Sequence, residues 1–293
     1  MATQSLEREL PLIVIAGPTA SGKTALAVRL AERFGGEIIC ADSRTIYTGM
    51  DIGTAKPTCD ERANVPHWGL DLVEPGGRFT VADFKAYAEQ KIAEIRERGN
   101  VPFLVGGTGL YIDAIVFDFA FAGEANEVLR EQLEQMNVQE LQKYCENNNI
   151  KLPENDHNKR YLIRAIERKN VTVKRRETLI DNTIVVGITT NRETLRTRIA
   201  LRSEQLFANN VVEEATILSK KYSWDSEAMT GNVYPLVRKY IAGELDETGL
   251  RREFEISDWR LAKRQMTWLR RNPYIMWGTI EASEHYLSRI LVR

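Results

Sequence analysis

The sequence predicts an α/β fold: a parallel sheet core with helices on both faces and a mostly helical insertion domain. Two observations predict it. Apolar runs alternate with helical patterns along about the first 115 residues, as in a parallel sheet that is covered on both sides. From Glu124 to about Arg168 the pattern instead turns helical and polar. We therefore expect a core of residues 10–118 and 183–293 and a helical insertion of residues 119–182.

Short apolar runs bounded by turn residues predict the strands. These runs are Leu12–Ala16, Glu37–Ala41, Gly69–Val73, Val101–Val105 and Ile184–Ile188. Helical spacing of apolar residues predicts the helices between and after the strands. The helices cover Ala25–Phe34, Thr80 to about Arg98, Asn191 through Leu206, and about Ile256 to Arg271. Thr80 begins a capping-box pattern and Asn191 suits an N-cap, so the sequence marks both helix starts.

A Gly-rich loop joins the first strand to the first helix. It consists of Gly17, Pro18, Thr19, Ala20, Ser21, Gly22, Lys23 and Thr24, which is the G-x-x-x-x-G-K-[ST] pattern. Such a phosphate loop (P-loop) holds a di- or triphosphate with backbone N–H groups at a helix N-terminus. Lys23 would add a positive charge, and the Thr24 hydroxyl would contact Mg²⁺ as cofactor. The alternative is an ordinary Gly-rich turn. The loop therefore predicts a P-loop NTPase-like core with Thr24 at the metal.

Composition restricts the class of protein. The formal net charge is −1 and the three cysteines form no C-x-x-C pattern, which argues against a disulfide scaffold or a zinc site. No apolar run is long enough for a membrane span, and we expect a cytoplasmic monomer. The charge is uneven, however. Residues 158–202 contain twelve basic and four acidic residues, which favours a polyanionic partner larger than a nucleotide.

Asp42 follows the second predicted strand directly. The carboxyl ends of parallel strands converge on the phosphate site of such a sheet, so Asp42 is expected near the ligand. A carboxylate there could act as a metal ligand or as a general base. A helix N-cap without chemistry is an equally reasonable reading of its position.

Five further stretches accompany the phosphate loop in a fixed order. They are Asp42-Ser43 with Gly49–Pro57, Gly106–Tyr111, Arg164–Glu167, Arg198-Ile199 with Arg202, and Ala262–Arg270. Together with the phosphate loop they resemble the motifs of the tRNA dimethylallyltransferases, also called tRNA isopentenyltransferases or the IPP transferase family. The resemblance extends over about residues 11–277.

This resemblance implies prenyl transfer to RNA. The donor would be dimethylallyl diphosphate, whose diphosphate a phosphate loop can bind as readily as ATP. The acceptor would be N6 of the adenosine 3′-adjacent to the anticodon in tRNAs reading U-starting codons. Asp42 is then our candidate general base. Lys23, Arg202 and Mg²⁺ would stabilise the diphosphate leaving group, and Thr108 resembles the residue that hydrogen-bonds near the acceptor amine.

The resemblance also implies contacts with the tRNA anticodon stem-loop. We expect these from Asp42, Ser43, Arg44, Thr45, Thr108, Arg130, Lys159, Arg160, Arg164, Lys263, Arg264, Gln265, Thr267 and Arg270. Several positions depart from the family pattern: Thr45 replaces a Gln, Tyr161 and Trp259 each replace an Arg, and Asn232–Leu236 keeps only the Tyr of its motif. These departures concern tRNA docking rather than the transfer chemistry.

Three other functions remain open at this point. A P-loop small-molecule kinase would need an aspartate after an apolar strand, and Leu70-Asp71 could supply it. An adenylate isopentenyltransferase would share the diphosphate site but would need no RNA-docking surface. A non-catalytic, nucleotide-dependent RNA-binding module would not need Lys23, Thr24, Asp42 and Thr108 together.

Overall fold

The computed structural model describes residues 9–121, 127–169, 174–231 and 233–292. Six strands form one sheet in the order β3-β2-β4-β1-β5-β6, and every neighbouring pair is parallel. The strands are β1 (Leu12–Ala16), β2 (Gly36–Ala41), β3 (His67–Trp68), β4 (Val101–Gly106), β5 (Thr183–Ile188) and β6 (Met276–Gly278). The predicted parallel α/β core is confirmed.

Twelve helices are described, with one 3₁₀ turn at Ala228–Thr230. They are α1 (Lys23–Phe34), α2 (Cys59–Arg62), α3 (Val81–Glu97), α4 (Gly109–Val116), α5 (Glu127–Gln135), α6 (Val138–Asn147), α7 (Lys159–Arg168), α8 (Arg192–Ala208), α9 (Val211–Lys221), α10 (Tyr234–Ile241), α11 (Glu247–Leu269) and α12 (Ile280–Leu291). The predicted caps are both present: Thr80 forms a capping box with Asp83, and the Asn191 side chain accepts a hydrogen bond from the Thr194 N–H. Of the described helices, none combines the length and the apolar character that crossing a bilayer requires.

Helices cover the sheet on two sides. Ile13 and Phe103 are fully buried and pack in one cluster with Leu26 of α1 and Leu287 of α12. Val14 and Leu104 are also fully buried but lie outside that cluster, because successive side chains of a strand point to opposite faces. Helices α3 and α4 contact the strands as well and contribute no residue to the first cluster. The sheet is therefore the middle of three layers.

The predicted strand Gly69–Val73 is wrong. The third strand ends at Trp68, and Gly69 (φ +82°) and Asp71 (φ +53°) take left-handed backbone conformations. An extended strand cannot continue through such residues. The prediction relied on apolar character alone, whereas the segment turns sharply against the carbonyl of Cys40.

The C-terminal part of the chain was also predicted incompletely. Helix α11 begins at Glu247, about two and a half turns before the expected Ile256, because Asp246 caps it by accepting a hydrogen bond from the Gly249 N–H. Strand β6 and helix α12 were not predicted. A strand of three residues gives too short an apolar run to recognise.

The chain divides into two compact units, Met1–Val116 with Thr178–Arg293 and Phe117–Glu177. The second unit has its own apolar cluster, in which Leu133, Leu141, Leu162 and Ile166 of α5, α6 and α7 are buried. Glu124, where we expected the helical pattern to begin, lies outside the described residues.

Candidate active site

A cavity of about 340 Å³ lies where three strands of the larger unit end. Its walls include residues that follow β1, β2 and β4, as expected for the carboxyl ends of parallel strands. Eleven of the residues predicted from the sequence line it. They are Thr19, Lys23, Thr24, Asp42, Ser43, Arg44, Thr45, Thr108, Arg202, Arg264 and Gln265.

The phosphate loop turns into α1 at Gly22. This residue has φ +87°, and a Cβ there would lie 2.7 Å from Ile280 Cδ1, so only glycine fits without strain. Helix α1 begins at Lys23, and its first N–H groups have no partner within the helix. They are therefore available to an anionic ligand.

Lys23 reaches across this loop. Its Nζ donates a hydrogen bond of 3.2 Å to the carbonyl of Pro18. Burial lowers the pKa of Lys23, while the nearby Asp42 carboxylate raises it and Arg202 lowers it. An incoming anion would restore the preference for the ammonium form, since an opposite charge stabilises it.

Side chains from distant helices fix the loop. Gln265 Oε1 accepts a hydrogen bond of 2.8 Å from the Thr19 N–H, and Arg198 donates one of 3.0 Å to the carbonyl of Ser21. The structure therefore gives Gln265 a contact with the phosphate loop. Its role in binding tRNA stays a prediction.

Asp42 and Thr108 stand at the ends of β2 and β4. The Thr108 N–H donates to the carbonyl of Ala41, and Thr108 Oγ1 accepts a hydrogen bond of 3.1 Å from the Ser43 N–H. Asp42 Oδ1 accepts a hydrogen bond of 2.8 Å from the Arg44 N–H. The Arg44 contact orients the Asp42 carboxylate through one oxygen, and the side chain lines the cavity.

Arg202 faces a carboxylate that the sequence did not reveal. Asp258 is 1% exposed, and its Oδ2 lies 3.6 Å from Arg202 Nε, an ion pair without hydrogen-bond geometry. Asp258 and Gln265 are seven residues apart on α11 and both line the cavity. That spacing places them on one helix face, and it could have identified Asp258.

A second loop forms another wall of the cavity. Gly53 and Thr54, from the Gly49–Pro57 motif, line it. Glu214 accepts hydrogen bonds from the N–H groups of Asp51, Ile52 and Gly53 at 2.7–2.8 Å, and from the hydroxyl of Tyr234 at 2.8 Å. Sequence reasoning found neither Glu214 nor Tyr234 as partners of this motif.

The other predicted tRNA contacts are not among the residues that line the cavity. Lys263 and Thr267 on α11 are exposed, as is Arg270 directly after the helix. Arg130, Lys159, Arg160 and Arg164 belong to the second unit, where Arg130 pairs with Glu134 and Glu167. Asn232, in the altered motif, lies outside the described residues.

Oxygen donors are present for a cation. The Thr24 hydroxyl and the Asp42 carboxylate both line the cavity, and oxygen ligands suit Mg²⁺. Within the described ranges, no group of three or more His, Cys, Asp or Glu residues could hold a metal alone. Such a sparse set fits an ion that shares its ligands with a phosphate group.

The family model described as IPP transferase matches residues 45–272, and one described as isopentenyl transferase matches residues 10–67. The chain belongs to the IPP transferase family. The family predicted from the sequence is thus confirmed. Among curated relatives, the tRNA dimethylallyltransferase of Desulfitobacterium hafniense is 40% identical over 91% of each chain, and that of Pelotomaculum thermopropionicum is 38% identical over 94% of this chain and 93% of its own.

Solved structures of this family have the same fold. The tRNA isopentenylpyrophosphate transferase of Bacillus halodurans has a TM-score of 0.74, with 34% identity over 97% of each chain. A eukaryotic dimethylallyltransferase acting on tRNA has a TM-score of 0.73, with coverage of 92% of this chain and 74% of its own. At 22% identity the latter likeness shows the fold alone.

Proposed function

We propose that this chain transfers a dimethylallyl group from dimethylallyl diphosphate to N6 of the adenosine 3′-adjacent to the anticodon in tRNAs reading U-starting codons. The product is N6-isopentenyladenosine. The observation that carries the proposal is one cavity in which Lys23, Asp42, Thr108 and Arg202 meet, in a family whose relatives are named tRNA dimethylallyltransferases.

The phosphate loop binds the donor's diphosphate. The N–H groups at the start of α1 and the Lys23 ammonium face the same cavity. Arg202 lines it from α8 and is placed there by Asp258. Negative charge grows on the diphosphate as its bond to the allylic carbon breaks, and these donors stabilise it.

Asp42 accepts the proton. The lone pair of N6 forms the new C–N bond to the allylic carbon, the C–O bond to diphosphate breaks, and one N6 proton passes to the Asp42 carboxylate. The Thr108 hydroxyl lies on the same side of the cavity, bonded to Ser43, and orients the amine. The adenine reaches this depth only if it leaves the stack of the anticodon loop.

Thr24 is the residue that would hold Mg²⁺ beside the diphosphate, whose own oxygens would supply further ligands. When bound, the ion neutralises part of the diphosphate charge. The Thr24 hydroxyl occupies the position at which phosphate loops supply a magnesium ligand.

The kinase alternative loses its candidate aspartate. Asp71 Oδ1 lies 2.5 Å from Lys56 Nζ, and the segment before Asp71 is not a strand that leads to the phosphate loop. Asp71 instead helps to fix the Gly49–Pro57 loop, because Lys56 also contacts Asp51 at 2.5 Å.

The test is transfer from labelled dimethylallyl diphosphate with Mg²⁺, offering unmodified tRNA and AMP as competing acceptors. We expect label in tRNA at the adenosine beside the anticodon. Label in AMP alone would assign the chain to adenylate isopentenyltransferases. Label in neither acceptor, together with phosphoryl transfer from ATP, would make it a kinase and overturn the proposal.

A further inference from the structure

Three cations surround one indole next to the phosphate loop. The centroid of the Trp259 ring lies 5.7 Å from Arg192 Cζ, 5.1 Å from Arg196 Cζ and 5.5 Å from Lys263 Nζ. Each distance is within the range of about 6 Å at which a ring face attracts a cation. Trp259 also packs in the small apolar cluster that contains Ala20 of the phosphate loop. We call Arg192, Arg196, Lys263 and Trp259 the Trp259 cluster.

The cations of this cluster are held by the indole ring. Throughout the described part of the chain, no carboxylate forms an ion pair with any of its three cations, which interact with the ring instead. Glu193 is the acidic residue of the same helical turn and pairs with neither arginine. All three cationic side chains belong to exposed residues. They are therefore accessible to an external anion.

The position of the two arginines adds to this imbalance. Arg192 and Arg196 are four residues apart near the start of α8, where like charges repel each other. A helix N-terminus also disfavours cations and favours anions. The indole holds the cations together against this repulsion, and a bound anion would relieve it. Exposed cations arranged in this way suit the phosphate groups of a polyanion.

We propose that the Trp259 cluster binds backbone phosphates of the acceptor tRNA outside the cavity. This inference rests on the proposed function, which supplies a polyanion that must approach the phosphate-loop side of the molecule. Because the cations already occupy the surroundings of the ring, Trp259 arranges the cations rather than stacking on a base. Trp259 stands where the family pattern has an Arg. This chain therefore lacks that one positive charge and has instead a ring that positions three cationic side chains.

The test compares tRNA binding by the wild type and an Arg192→Gln/Arg196→Gln variant. The probe is an unmodified tRNA transcript, and its affinity is measured by fluorescence anisotropy over a series of salt concentrations. We expect about tenfold weaker binding and a salt slope shallower by about 1.4–1.8, because each lost phosphate contact removes about 0.7–0.9 from that slope. The Kd for dimethylallyl diphosphate should not change, since the donor site lies within the cavity.

Two further variants separate charge count from arrangement. Lys220→Gln/Lys239→Gln removes the same charge from exposed positions on α9 and α10 and should leave both affinity and slope near wild type. Trp259→Leu keeps every charge but removes the ring, and should weaken binding severalfold with a slope closer to wild type than that of the double Arg variant.

The outcomes are distinguishable from those that test the proposed function. If the wild type binds and modifies tRNA while Arg192→Gln/Arg196→Gln behaves like Lys220→Gln/Lys239→Gln, the phosphate-binding role is wrong and the enzymatic function stands. If the wild type neither binds nor modifies tRNA, both proposals fail. Thermal unfolding of each variant verifies that the fold is retained, which exposed Arg→Gln changes on a helix should allow.

Discussion

Two loops line the same cavity, and their backbone N–H groups differ in whether they already have a hydrogen-bond partner. In the phosphate loop, the N–H groups that open α1 have no partner within the helix and can bind a ligand. In the Gly49–Pro57 loop, three successive N–H groups are already bonded to the carboxylate of Glu214. Both arrangements are anion sites made of backbone donors. In the second loop, however, the anion is part of the protein.

This difference separates binding from positioning. The first loop is a cradle whose occupant must come from outside, and its charge comes from Lys23. The second loop is a wall of the cavity. Glu214, which is bonded to Tyr234, and Lys56, which pairs with Asp51 and Asp71, hold it in place. Changes in the cradle should therefore affect donor binding and chemistry directly, whereas changes behind the wall should act through the shape of the cavity.

Lys23→Ala should have the largest effect. It removes the only lysine that lines the described cavity, so kcat/KM for dimethylallyl diphosphate should fall by roughly 10³, in the range found for loss of one donor to a developing oxyanion. Steady-state kinetics with varied donor checks this. A fall of less than about tenfold would show that the cradle works through its backbone alone.

The lowered pKa of Lys23 adds a pH dependence to this prediction. Burial favours the neutral amine, so donor affinity should decrease as the pH rises through that lowered pKa, because the amine then carries no charge. Calorimetric titration of the donor over a pH series should show this decrease in the wild type. Lys23→Ala should lack it, and an identical decrease in both proteins would assign it to another group.

Asp42→Asn should have the next largest effect. Asparagine keeps an oxygen for the Arg44 N–H but cannot take a proton, so kcat should fall by roughly 10² or more while the donor Kd remains near wild type. Single-turnover rates with saturating tRNA measure the chemical step. A near-normal rate would exclude Asp42 as the general base and leave it a structural contact of the turn.

The phosphate loop and Asp42 could be recognised from the sequence because their signals are local. Each lies within a few residues of a strand end, and the glycine and lysine positions of the loop have fixed spacing. Asp258 and Glu214 lie far along the chain from the residues they hold: Glu214 is 161–163 residues from its partners on the loop. No periodicity links Glu214 to its loop or Asp258 to Arg202, so only the folded chain shows these pairings, although the spacing of Asp258 from Gln265 on α11 marks Asp258 itself.

The same contrast explains the errors in the fold. Strands β1, β2, β4 and β5 were predicted within one residue at each end because their buried runs are continuous. The third strand was misplaced because the predicted segment contains Gly69 and Asp71 in left-handed conformations and packs against Cys40. Strand β6 exists only through its pairing with β5, which tertiary context supplies and local propensity does not.

The smallest effect is expected for Glu214, which holds the Gly49–Pro57 loop. Glu214→Gln and Glu214→Ala remove part or all of its hydrogen bonds to that loop. Glutamine can retain the hydrogen bonds of one carboxylate oxygen, and its amide can donate to Tyr234 instead of accepting from it, so only the Gly53 N–H loses its partner. Alanine leaves all three N–H groups without the carboxylate. We expect losses of unfolding free energy of about 1 kcal/mol for glutamine and about 2–3 kcal/mol for alanine.

Activity should follow the same order if the Gly49–Pro57 loop shapes the cavity. We expect kcat/KM to fall by roughly threefold in Glu214→Gln and roughly thirtyfold in Glu214→Ala. The upper limit of each fall is the expected loss of unfolding free energy, converted at about 1.4 kcal/mol per factor of ten in rate. Glu213→Gln, its exposed neighbour on α9, is the matched control and should match wild type in both measurements. If both Glu214 variants lose stability while kcat/KM stays at the wild-type value, the loop is held by Glu214 but its position does not matter to the reaction. The contrast between cradle and wall would then reduce to a difference in stability.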